Sequence, residues 1–454
     1  AAAVKLTRGP VFDAASVRLY LDGAVYHGAA RRRKTDMDQL ETDRILQRLI
    51  KTAFYRAAVR ATGKKPVWGA LTGIRPGKIA TGLLEEGKTD HEVVKTLMKE
   101  YYLSPERAEL CLDTARAGLE AERSLKARDV ALYVGIPFCP TRCHYCSFVS
   151  HSVEKSMALI EPFLDALRRE IDAAGDIAGR LGLNIVSVYV GGGTPTTLSA
   201  EQLESLLKHL GGAFNLSNAR EFTVEAGRPD TITPEKLRAL KEGGVGRVSV
   251  NPQTMRDEVL QAIGRRHTAE ETRRAMALVR EAGFPCVNMD LIAGLPGDSA
   301  EGFARSLDEV LAFEPENVTV HTLSRKKGTR ITLDNTPIPS EEAVGAMLDY
   351  AATRLRGENY RPYYLYRQKY IAGGFENVGW ARPGYESLYN ILIMEELRTV
   401  LALGGGGVTK LVAPHIGRIE RIFNVKYPYE YVRDIDTLIA RKKGVEDFYA
   451  RFFG

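Results

Sequence analysis

From Ala131 onward, short apolar segments that favour strands alternate regularly with longer segments that have helical periodicity. Such alternation predicts a parallel sheet whose strands are joined by helical crossovers. Six such units predict an open β/α barrel, in which reactive side chains lie at the carboxyl ends of the strands. The predicted strands are 131–136, 185–190, 222–226, 247–250, 286–292 and 318–323, and the predicted helices are 155–181, 200–210, 234–242, 268–282 and 299–313.

The segment before this alternation, residues 1–128, predicts a separate α+β and helical domain. Two short strands, 16–21 and 24–27, flank Asp22-Gly23, a dipeptide that favours a hairpin turn. The basic run 31–34 that follows predicts a solvated loop. Helical periodicity then predicts helices at 36–61, 90–102 and 104–125, separated by a loop rich in glycine and proline at 68–78.

Three of the five cysteines, Cys139, Cys143 and Cys146, follow the first predicted strand in a C-x3-C-x2-C pattern. Cysteine thiolates are the natural ligands of iron–sulfur clusters. Three thiolates can hold three irons of a [4Fe–4S] cube, so the fourth iron is left open to bind another molecule. The alternatives are a zinc site with His144 as the fourth ligand, although a second C-x2-C pair is absent, and a chance grouping of core cysteines.

Composition excludes several functional classes. Five cysteines in 454 residues do not suit a disulfide framework, so we expect a reducing, cytoplasmic compartment. No apolar run approaches the ~20 residues of a membrane span, and we expect neither a span nor a signal peptide. The net charge of +6 is mild, which makes nucleic acid an unexpected partner.

The cysteine pattern also carries a family resemblance. With Y-x-x-I-P-F before it and an aromatic residue before Cys146, it resembles the radical S-adenosylmethionine (SAM) superfamily. More narrowly, it resembles the oxygen-independent coproporphyrinogen III dehydrogenase family, in the form with a long N-terminal extension often called HemZ-type. The resemblance implies an α/β fold with an open (β/α)6 partial TIM barrel at residues 129–325. It also implies an N-terminal domain at 1–128 and a C-terminal α+β extension at 326–454 that covers the substrate.

The same resemblance implies two cofactors, a [4Fe–4S] cluster on the three cysteines and SAM. The glycine-rich segment is implied to hold the methionine part of SAM, and a carboxylate is implied to bind its ammonium group. An amide and a second carboxylate are implied to bind its ribose. The implied SAM-binding residues are Tyr133, Tyr145, Gly192, Gly193, Thr194, Glu225, Gln253, Arg265, Asp290 and Val408, and Tyr133 is also implied to be catalytic.

The sequence departs from the family pattern at several positions. Gly227 and Arg228 follow Ala226 where the family commonly has Asn-Pro, and Asn251-Pro252 precedes Gln253 where it has a glycine and an aliphatic residue. Phe148 stands where the best-known dehydrogenases have a further cysteine, and the haem-chaperone branch of the family shares this phenylalanine. These departures affect the predicted substrate more than the predicted cofactors.

The function that the resemblance implies is oxidative decarboxylation of two propionates of coproporphyrinogen III to vinyl groups, a step of haem biosynthesis. This oxidoreductase would take a tetrapyrrole substrate and an electron from a carrier such as flavodoxin or ferredoxin. A haem-binding chaperone that retains cluster and SAM is the alternative, and an RNA-modifying radical enzyme is a distant one. The tyrosine-rich segment 361–370 suits a tetrapyrrole, nucleic-acid bases or a structural strand, and 432–454 predicts one amphipathic helix.

Overall fold

The structure is a computed structural model that describes residues 1–35, 38–146, 151–152, 157–368 and 371–454. It forms two compact units, Ala1–Leu112 and Asp113–Gly454. This division falls inside a helix and earlier than the predicted boundary at 128, and the second unit continues through the predicted boundary at 325. Three features of the sequence analysis fall outside the described residues. They are Phe148, residues 36–37 of the helix predicted at 36–61, and residues 155–156 of the helix predicted at 155–181.

The first unit begins with an antiparallel sheet of β1 (Ala2–Arg8), β2 (Phe12–Leu21) and β3 (Ala24–Arg33), in the order β1-β2-β3. The predicted hairpin is confirmed. The prediction of a loop at 31–34 is wrong for its first three residues, which extend β3 and pair with β2. Strand β1 was not predicted, because its pairing with β2 rather than a local pattern defines it.

One face of this sheet is covered by α1 (Gln39–Thr62). Ala15, Val17 and Ala30 are buried beneath this helix. The helix approaches so closely that a Cβ at Gly28 would lie 2.0 Å from the Ala53 carbonyl oxygen, so only glycine fits there. The unit continues with α2 (Gly77–Glu85), α3 (Asp90–Tyr101) and the start of α4 (Pro105–Arg123). Helix α2 was not predicted, and its first two residues fall in the loop predicted at 68–78.

The second unit is built on a sheet of 11 strands with a parallel centre. Its strands and two short flanking ones are β4 (Asp129–Ile136), β5 (Phe138–Cys139), β6 (His151–Ser152), β7 (Asn184–Gly192), β8 (Glu221–Glu225), β9 (Arg247–Gln253), β10 (Cys286–Ala293), β11 (Asn317–Thr322), β12 (Arg361–Arg367), β13 (Glu376–Ala381), β14 (Val400–Gly404), β15 (Val408–Ala413) and β16 (Arg418–Phe423).

The six parallel strands pair in the order β4-β7-β8-β9-β10-β11, as the β/α alternation predicts. Two antiparallel strands, β13 and β12, extend the sheet beyond β11. On the other side, β14 runs parallel to β4, and β15 and β16 follow antiparallel. The α/β fold with a central parallel sheet is therefore confirmed. Segment 361–367 of the tyrosine-rich stretch is a strand of this sheet.

Helices connect these strands and cover the outer side of the sheet. They are α5 (Ile160–Arg180), α6 (Ala200–Ala213), α7 (Pro234–Glu242), α8 (Asp257–Ala262), α9 (Ala269–Glu281), α10 (Ala300–Ala312), α11 (Arg330–Leu333), α12 (Glu341–Gly357), α13 (Leu388–Glu395), α14 (Pro428–Arg433), α15 (Ile435–Arg441) and α16 (Lys443–Phe452). None of the helices that the structure describes combines the length and apolar character that crossing a bilayer requires.

The prediction of one helix at 432–454 is wrong, because three short helices, α14 to α16, occupy this region. The break between α15 and α16 falls at Lys442, whose buried ammonium group lies 3.0 Å from a carboxylate oxygen of Glu170 on α5. Glu170 also accepts a hydrogen bond of 2.8 Å from the Gly404 N–H at the end of β14. This buried ion pair ties the C-terminal helices to the barrel.

The inner side of the barrel carries polar and aromatic side chains at alternate strand positions, whereas the outer side is apolar. Asn288 shows how these polar groups satisfy one another. Its amide donates hydrogen bonds of 2.7 Å to Ser249 and to Asp290, and its oxygen accepts one of 3.1 Å from Thr319. The interior network thereby fixes the orientation of Asp290 near the end of β10.

Candidate active site

A cavity of about 370 Å³ lies at the carboxyl ends of the parallel strands. This is the end at which barrels of this kind place their chemistry. All predicted site residues except Val408 line this cavity. They are Tyr133, Cys139, Cys143, Tyr145, Cys146, Gly192, Gly193, Thr194, Glu225, Gln253, Arg265 and Asp290.

Val408 lies apart from this group. It is the first residue of β15 and pairs with Phe423 of β16, and it is not among the residues that line the cavity. Its predicted contact with SAM stays a prediction. The glycines that precede Val408 lie beside β4, the strand that leads into the cysteine loop. The Gly405 N–H donates a hydrogen bond of 3.1 Å to the Gly135 carbonyl oxygen of that strand.

The three cysteines are half-buried on one loop at the cavity wall, and none of them is in a disulfide. The Cys146 N–H donates a hydrogen bond of 3.1 Å to the Cys143 carbonyl oxygen, which holds the loop in a tight turn. Within the described ranges, no three His, Cys, Asp or Glu side chains form a site for a single metal ion. The three thiols line one cavity, and cysteine sulfur is the ligand that iron–sulfur clusters use.

The glycine-rich segment at the end of β7 supports this cysteine loop directly. The Gly193 N–H donates to the Ile136 carbonyl oxygen and the Thr194 N–H to that of Phe138, both at 2.7 Å. A Cβ at Gly193 would lie 2.4 Å from the Phe138 oxygen. Glycine is therefore required here for the approach of two protein backbones, in addition to any contact with a ligand.

His144 anchors the cysteine loop from the other side. Its N–H donates a hydrogen bond of 2.9 Å to the Ile263 carbonyl oxygen, and its Nδ1 lies 3.1 Å from the oxygen of Ala262. The Ile331 N–H in turn donates to the His144 carbonyl oxygen at 3.2 Å. These bonds hold the ring against the end of α8, and His144 is not among the residues that line the cavity of the three cysteines, so the geometry favours a structural role over the zinc-ligand alternative.

Arg265 and Tyr145 form a buried pair in the cavity wall. The guanidinium of Arg265 donates a hydrogen bond of 3.1 Å to the Tyr145 hydroxyl and another to the Asn251 carbonyl oxygen. Its Nε is buried and has no hydrogen-bond partner among the described residues. A buried donor without a partner costs free energy, so this atom is suited to an acceptor on a bound molecule.

Glu225 is the predicted partner of the SAM ammonium group. Its carboxylate accepts a hydrogen bond of 2.6 Å from the Tyr189 hydroxyl. Burial raises the pKa of this carboxyl from 4.5 to about 7 because the charged form is poorly solvated there. A bound cation would reverse this effect, since an adjacent positive charge favours the carboxylate.

Gln253 ends β9 with an unusual backbone, at φ 71. A positive φ is strained for a residue other than glycine and is common at functional sites. Its side-chain oxygen, Oε1, is buried and lacks a hydrogen-bond donor among the described residues. Across the cavity, a carboxylate oxygen of Asp290 lies 3.6 Å from the Nε2 atom of His321. An amide acceptor and a carboxylate are the groups that ribose hydroxyls require.

The predicted cofactors fit these residues. The three thiols supply ligands for a [4Fe–4S] cluster, and Glu225 supplies an acceptor for an ammonium group. The unpartnered atoms, Gln253 Oε1 and Arg265 Nε, lie in residues of the same cavity. Native proteins rarely leave buried polar atoms unpaired unless another molecule pairs with them.

Sequence reasoning missed Arg228, which it treated only as a departure from the family pattern. The guanidinium of Arg228 is 3% exposed and lines the cavity. It donates hydrogen bonds of 3.1 Å to Thr141 and 3.7 Å to the Sγ atom of Cys143, and it forms a two-pronged ion pair with Asp230. A charged residue in the loop after a barrel strand was the available signal.

Four further side chains at the cavity were also not predicted. His321 lies near the end of β11, and Lys326 lies in the loop that follows. Tyr366 lies on β12, and Gln368 directly follows that strand. Tyr366 belongs to the tyrosine-rich segment 361–370, which the sequence analysis did not assign to this site. Their position depends on the antiparallel strands that extend the sheet, which the alternating pattern did not predict.

Stacked tyrosines fill the barrel beneath the cavity. The ring of Tyr389 lies 4.4 Å from that of Tyr189 and 6.0 Å from that of Tyr133, centroid to centroid. Burial raises the pKa of all three hydroxyls, so they remain protonated at neutral pH. Helix α13 delivers Tyr389 into the barrel and thereby closes the floor of the site.

A second, larger cavity of about 610 Å³ lies at the amino ends of the same strands. Glu221 and Arg247 are buried there, 3.7 Å apart. Glu221 accepts hydrogen bonds from the Ser387 hydroxyl at 2.8 Å and the Tyr389 N–H at 3.1 Å, which caps the start of α13. Arg247 donates to Asn317 and to the Tyr385 carbonyl oxygen. Arg247 Nε has no hydrogen bond among the described residues and faces the Glu221 carboxylate as an ion pair.

Comparisons with known proteins agree with this geometry. The family model of the Radical SAM superfamily matches residues 133–310. The chain is 39% identical over 401 residues to the oxygen-independent coproporphyrinogen-III oxidase-like protein HemZ of Bacillus subtilis, covering 87% of this chain and 80% of that protein. The chain belongs to the oxygen-independent coproporphyrinogen III oxidase-like family of radical SAM enzymes. It is accordingly an oxidoreductase whose cofactors are a [4Fe–4S] cluster and SAM.

Other members of this family and its neighbours are also similar. The heme chaperone HemW of Bacillus subtilis is 29% identical over 317 residues, covering 67% of this chain and 79% of that protein. The solved structure of coproporphyrinogen III oxidase (HemN) from Escherichia coli superposes with a TM-score of 0.56 at 25% identity, covering 71% of this chain and 72% of that chain. The family therefore includes both oxidases and haem chaperones.

Proposed function

We propose that the chain catalyses the oxygen-independent oxidative decarboxylation of coproporphyrinogen III, converting two propionates to vinyl groups and giving protoporphyrinogen IX. The observation that carries this proposal is the identity of 39% with the coproporphyrinogen-III oxidase-like protein HemZ across 87% of the chain. In each round the substrate propionate loses a hydrogen atom, carbon dioxide and one electron. The proposed substrate is thus a tetrapyrrole with carboxylate side chains.

In this proposal Cys139, Cys143 and Cys146 would hold a [4Fe–4S] cluster next to the SAM site. The reduced cluster and SAM together supply the acceptor for the substrate hydrogen atom. Glu225 pairs with the SAM ammonium group, and Gln253 and Asp290 hold the ribose. The backbone at Gly192, Gly193 and Thr194 lies against the methionine part. Support comes from the shared cavity and from its unpartnered polar atoms.

We assign the substrate to Lys326, Tyr366 and Gln368, which line the same cavity as the cysteines. Lys326 offers an ammonium group for a propionate, and Gln368 and Tyr366 offer hydrogen-bonding groups. His321, another lining residue, lies 3.6 Å from Asp290. The stacked tyrosines beneath exclude water from the reacting atoms, which a hydrogen-atom transfer requires. Tyr133 belongs to this stack, and we propose that it positions the reacting groups.

We further propose a small one-electron carrier such as flavodoxin or ferredoxin as electron donor, a reducing cytoplasmic location, and no role for nucleic acid in this reaction. Support for the reducing compartment comes from the low number of cysteines, five in 454 residues, which does not suit a disulfide framework. Residues 129–325 would then form the reacting core and 326–454 the part that covers the substrate. Residues 1–128 would form an appended domain.

The deciding experiment is anaerobic incubation of the reconstituted protein with SAM, a reductant and coproporphyrinogen III, followed by mass analysis of the porphyrins. Successive loss of carbon dioxide and two hydrogens from two propionates, with equivalent formation of 5′-deoxyadenosine, is the expected result. A matched Cys143→Ala variant should give neither product. Formation of 5′-deoxyadenosine without any change in the porphyrin would contradict the proposed substrate while leaving the assigned cofactors in place.

A haem-chaperone function is the second candidate, because the chain is also similar to heme chaperone HemW over two thirds of its length. A chaperone should bind haem stoichiometrically and leave coproporphyrinogen III unchanged. A haem titration followed by absorbance, carried out beside the turnover assay, separates the two functions. Haem binding without turnover would replace the oxidase proposal.

A further inference from the structure

The sheet of the first unit has two faces of different character. Residues of β2 alternate between a buried side, which includes Ala15 and Val17, and an open side, which includes Phe12 and Tyr20. Phe12 and Tyr20 are each 43% exposed. Because α1 covers only the first side, the other face of the sheet is open to solvent.

The charged side chains on the open face are all cationic. Strand register places Lys5 of β1 beside Ser16, Arg18 of β2 beside His27, and Arg31 and Arg33 of β3 beside Ala14 and Phe12. All four cationic residues are exposed. The other open-face positions of the three strands hold Ala, Ser, Thr, Val, His or an aromatic residue, and none holds Asp or Glu.

In the part of the chain that the structure describes, carboxylates do not balance the charge of these cations. Among the described residues, no carboxylate forms an ion pair with Lys5, Arg18, Arg31 or Arg33. On the opposite face, by contrast, Lys34 lies 3.8 Å from the buried carboxylate of Asp13. Four like charges held on one small face repel one another, so the face is suited to a polyanion.

The aromatic residues add a second kind of contact. Phe12 and Tyr20 lie at the two ends of β2, roughly 27 Å apart at about 3.4 Å per residue. The Arg31 guanidinium lies 5.4 Å from the centre of the Phe12 ring and extends that flat surface. Small side chains such as Ala14 and Ser16 lie between the two rings, so an extended chain can cross the face.

We propose that the open face of β1, β2 and β3 binds single-stranded nucleic acid. The four cations contact phosphates, and Phe12 and Tyr20 stack on bases, which is how sequence-tolerant single-strand sites combine the two interactions. Apolar side chains sufficient for insertion into a lipid surface are not grouped here, since the two rings lie at opposite ends. This inference goes beyond the proposed porphyrin reaction and modifies the expectation, drawn from net charge, that nucleic acid is not a partner.

The test is fluorescence anisotropy of the full-length protein with labelled oligo(U) and oligo(dT) over a range of salt concentrations. A variant with Lys5, Arg18, Arg31 and Arg33 all changed to Gln should bind weakly. The slope of log affinity against log salt should fall by roughly 3, since single strands give about 0.7 for each phosphate contact. Preference between the two oligonucleotides shows whether RNA or DNA is the better ligand.

A matched control removes the same charge from elsewhere in the first unit. Arg44, Lys51, Lys95 and Lys99 are exposed cations on helices, and their change to Gln should leave affinity and slope near those of the unmodified protein. Phe12→Ala and Tyr20→Ala should each weaken binding roughly tenfold while keeping the slope. Absence of binding by the unmodified protein, or an equal loss in the control, would overturn the proposal. Iron content and SAM binding, which belong to the second unit, should be unchanged in all these variants.

Discussion

The two ends of the barrel contain similar kinds of polar groups but use them differently. At the amino ends, Glu221 and Arg247 are buried beside one another and form hydrogen bonds to neighbouring protein groups. Arg247 Nε has no hydrogen bond among the described residues, but it lies 3.7 Å from a Glu221 carboxylate oxygen that balances its charge. At the carboxyl ends, Gln253 Oε1 and Arg265 Nε are buried with no hydrogen-bond partner among the described residues, in the cavity that the three cysteines line. The larger cavity lies at the amino ends.

The two ends thus differ in how their buried polar atoms are compensated, and a buried atom with neither a hydrogen bond nor a balancing charge is a better guide to the reacting end than cavity size. A buried polar group that is fully bonded stabilises a fold, whereas an unbonded one lowers stability until a ligand pairs with it. The amino end should therefore control stability and the carboxyl end should control cofactor binding. Four experiments test this separation, in decreasing order of expected effect.

The largest effect is expected from the cluster thiols. Cys143→Ala should abolish retention of a [4Fe–4S] cluster and lower SAM cleavage by more than about 100-fold, because an iron loses its ligand. Iron content and visible absorbance after anaerobic reconstitution measure this. Cys286→Ala, at the buried amino end of β10, is the matched control and should keep its iron. Equal iron loss in both variants would refute the separation of the two ends.

The second effect concerns stability. Arg247→Met should lower the free energy of unfolding by roughly 3 kcal/mol, because it leaves the buried carboxylate of Glu221 without its cationic neighbour. Gln253→Ala should change it by less than about 1 kcal/mol, since Oε1 has no hydrogen bond to lose. Urea unfolding of the cofactor-free protein compares the two. A greater loss in the Gln253 variant would reverse the roles assigned to the two ends.

The third effect is the pH dependence of SAM binding. With the pKa of Glu225 near 7, the ionised fraction rises from about one tenth at pH 6 to about nine tenths at pH 8, and affinity for the SAM ammonium group should rise roughly tenfold. Calorimetry on the reconstituted protein measures this. Glu225→Gln should bind SAM more weakly and with a flat profile, so an unchanged slope in this variant would exclude Glu225 as the titrating group.

The raised pKa of Glu225 also makes the stability of the ligand-free protein depend on pH. Stability falls over the pH range in which affinity for SAM rises. In the ligand-free native state the Glu225 carboxyl keeps its proton up to about pH 7, whereas in the unfolded chain it loses the proton near 4.5. The native state therefore binds more protons between these values. The contribution of Glu225 to stability is full below pH 4.5 and falls as pH rises to about 7. Glu225→Gln should flatten this part of the stability profile.

The smallest effect is expected from Arg228. Removing its positive charge and its hydrogen bond to Cys143 Sγ should favour the oxidised cluster. The reduction potential should become more negative by roughly 40 mV, or about 1 kcal/mol for one electron. Arg228→Gln is compared with Arg220→Gln, an exposed arginine at the amino end, in a redox titration followed by electron paramagnetic resonance. A shift in the Arg220 variant alone would contradict the assignment.

Much of the fold followed from local patterns. The parallel strands and their helices agree with the predicted segments to within a few residues, and helix 234–242 has the predicted bounds. The failures have a common cause. Strand β1 exists through its pairing with β2, and the break at Lys442 coincides with its ion pair to Glu170. Neither feature is encoded in the residues next to it.

The candidate site divides in the same way. The spacing of Cys139, Cys143 and Cys146 is itself local, so the sequence predicted the cysteine loop, and most of the implied SAM residues do line one cavity. Arg228 was missed because its contact with Cys143 depends on the path of a loop after a different strand. His144 was considered as a ligand, and only the carbonyl groups of α8 indicate that it anchors the loop.

The sequence alone determined the order of strands and helices, the cluster-binding pattern and the family, because periodicity and residue spacing are properties of short segments. Only the tertiary structure decided which polar atoms are paired and which remain open. The hydrogen-bond partners of Glu221 and the missing partner of Gln253 Oε1 both depend on residues far away in the chain. Burial and pairing arise when distant segments meet, and they distinguish the stabilising end of this barrel from its reacting end.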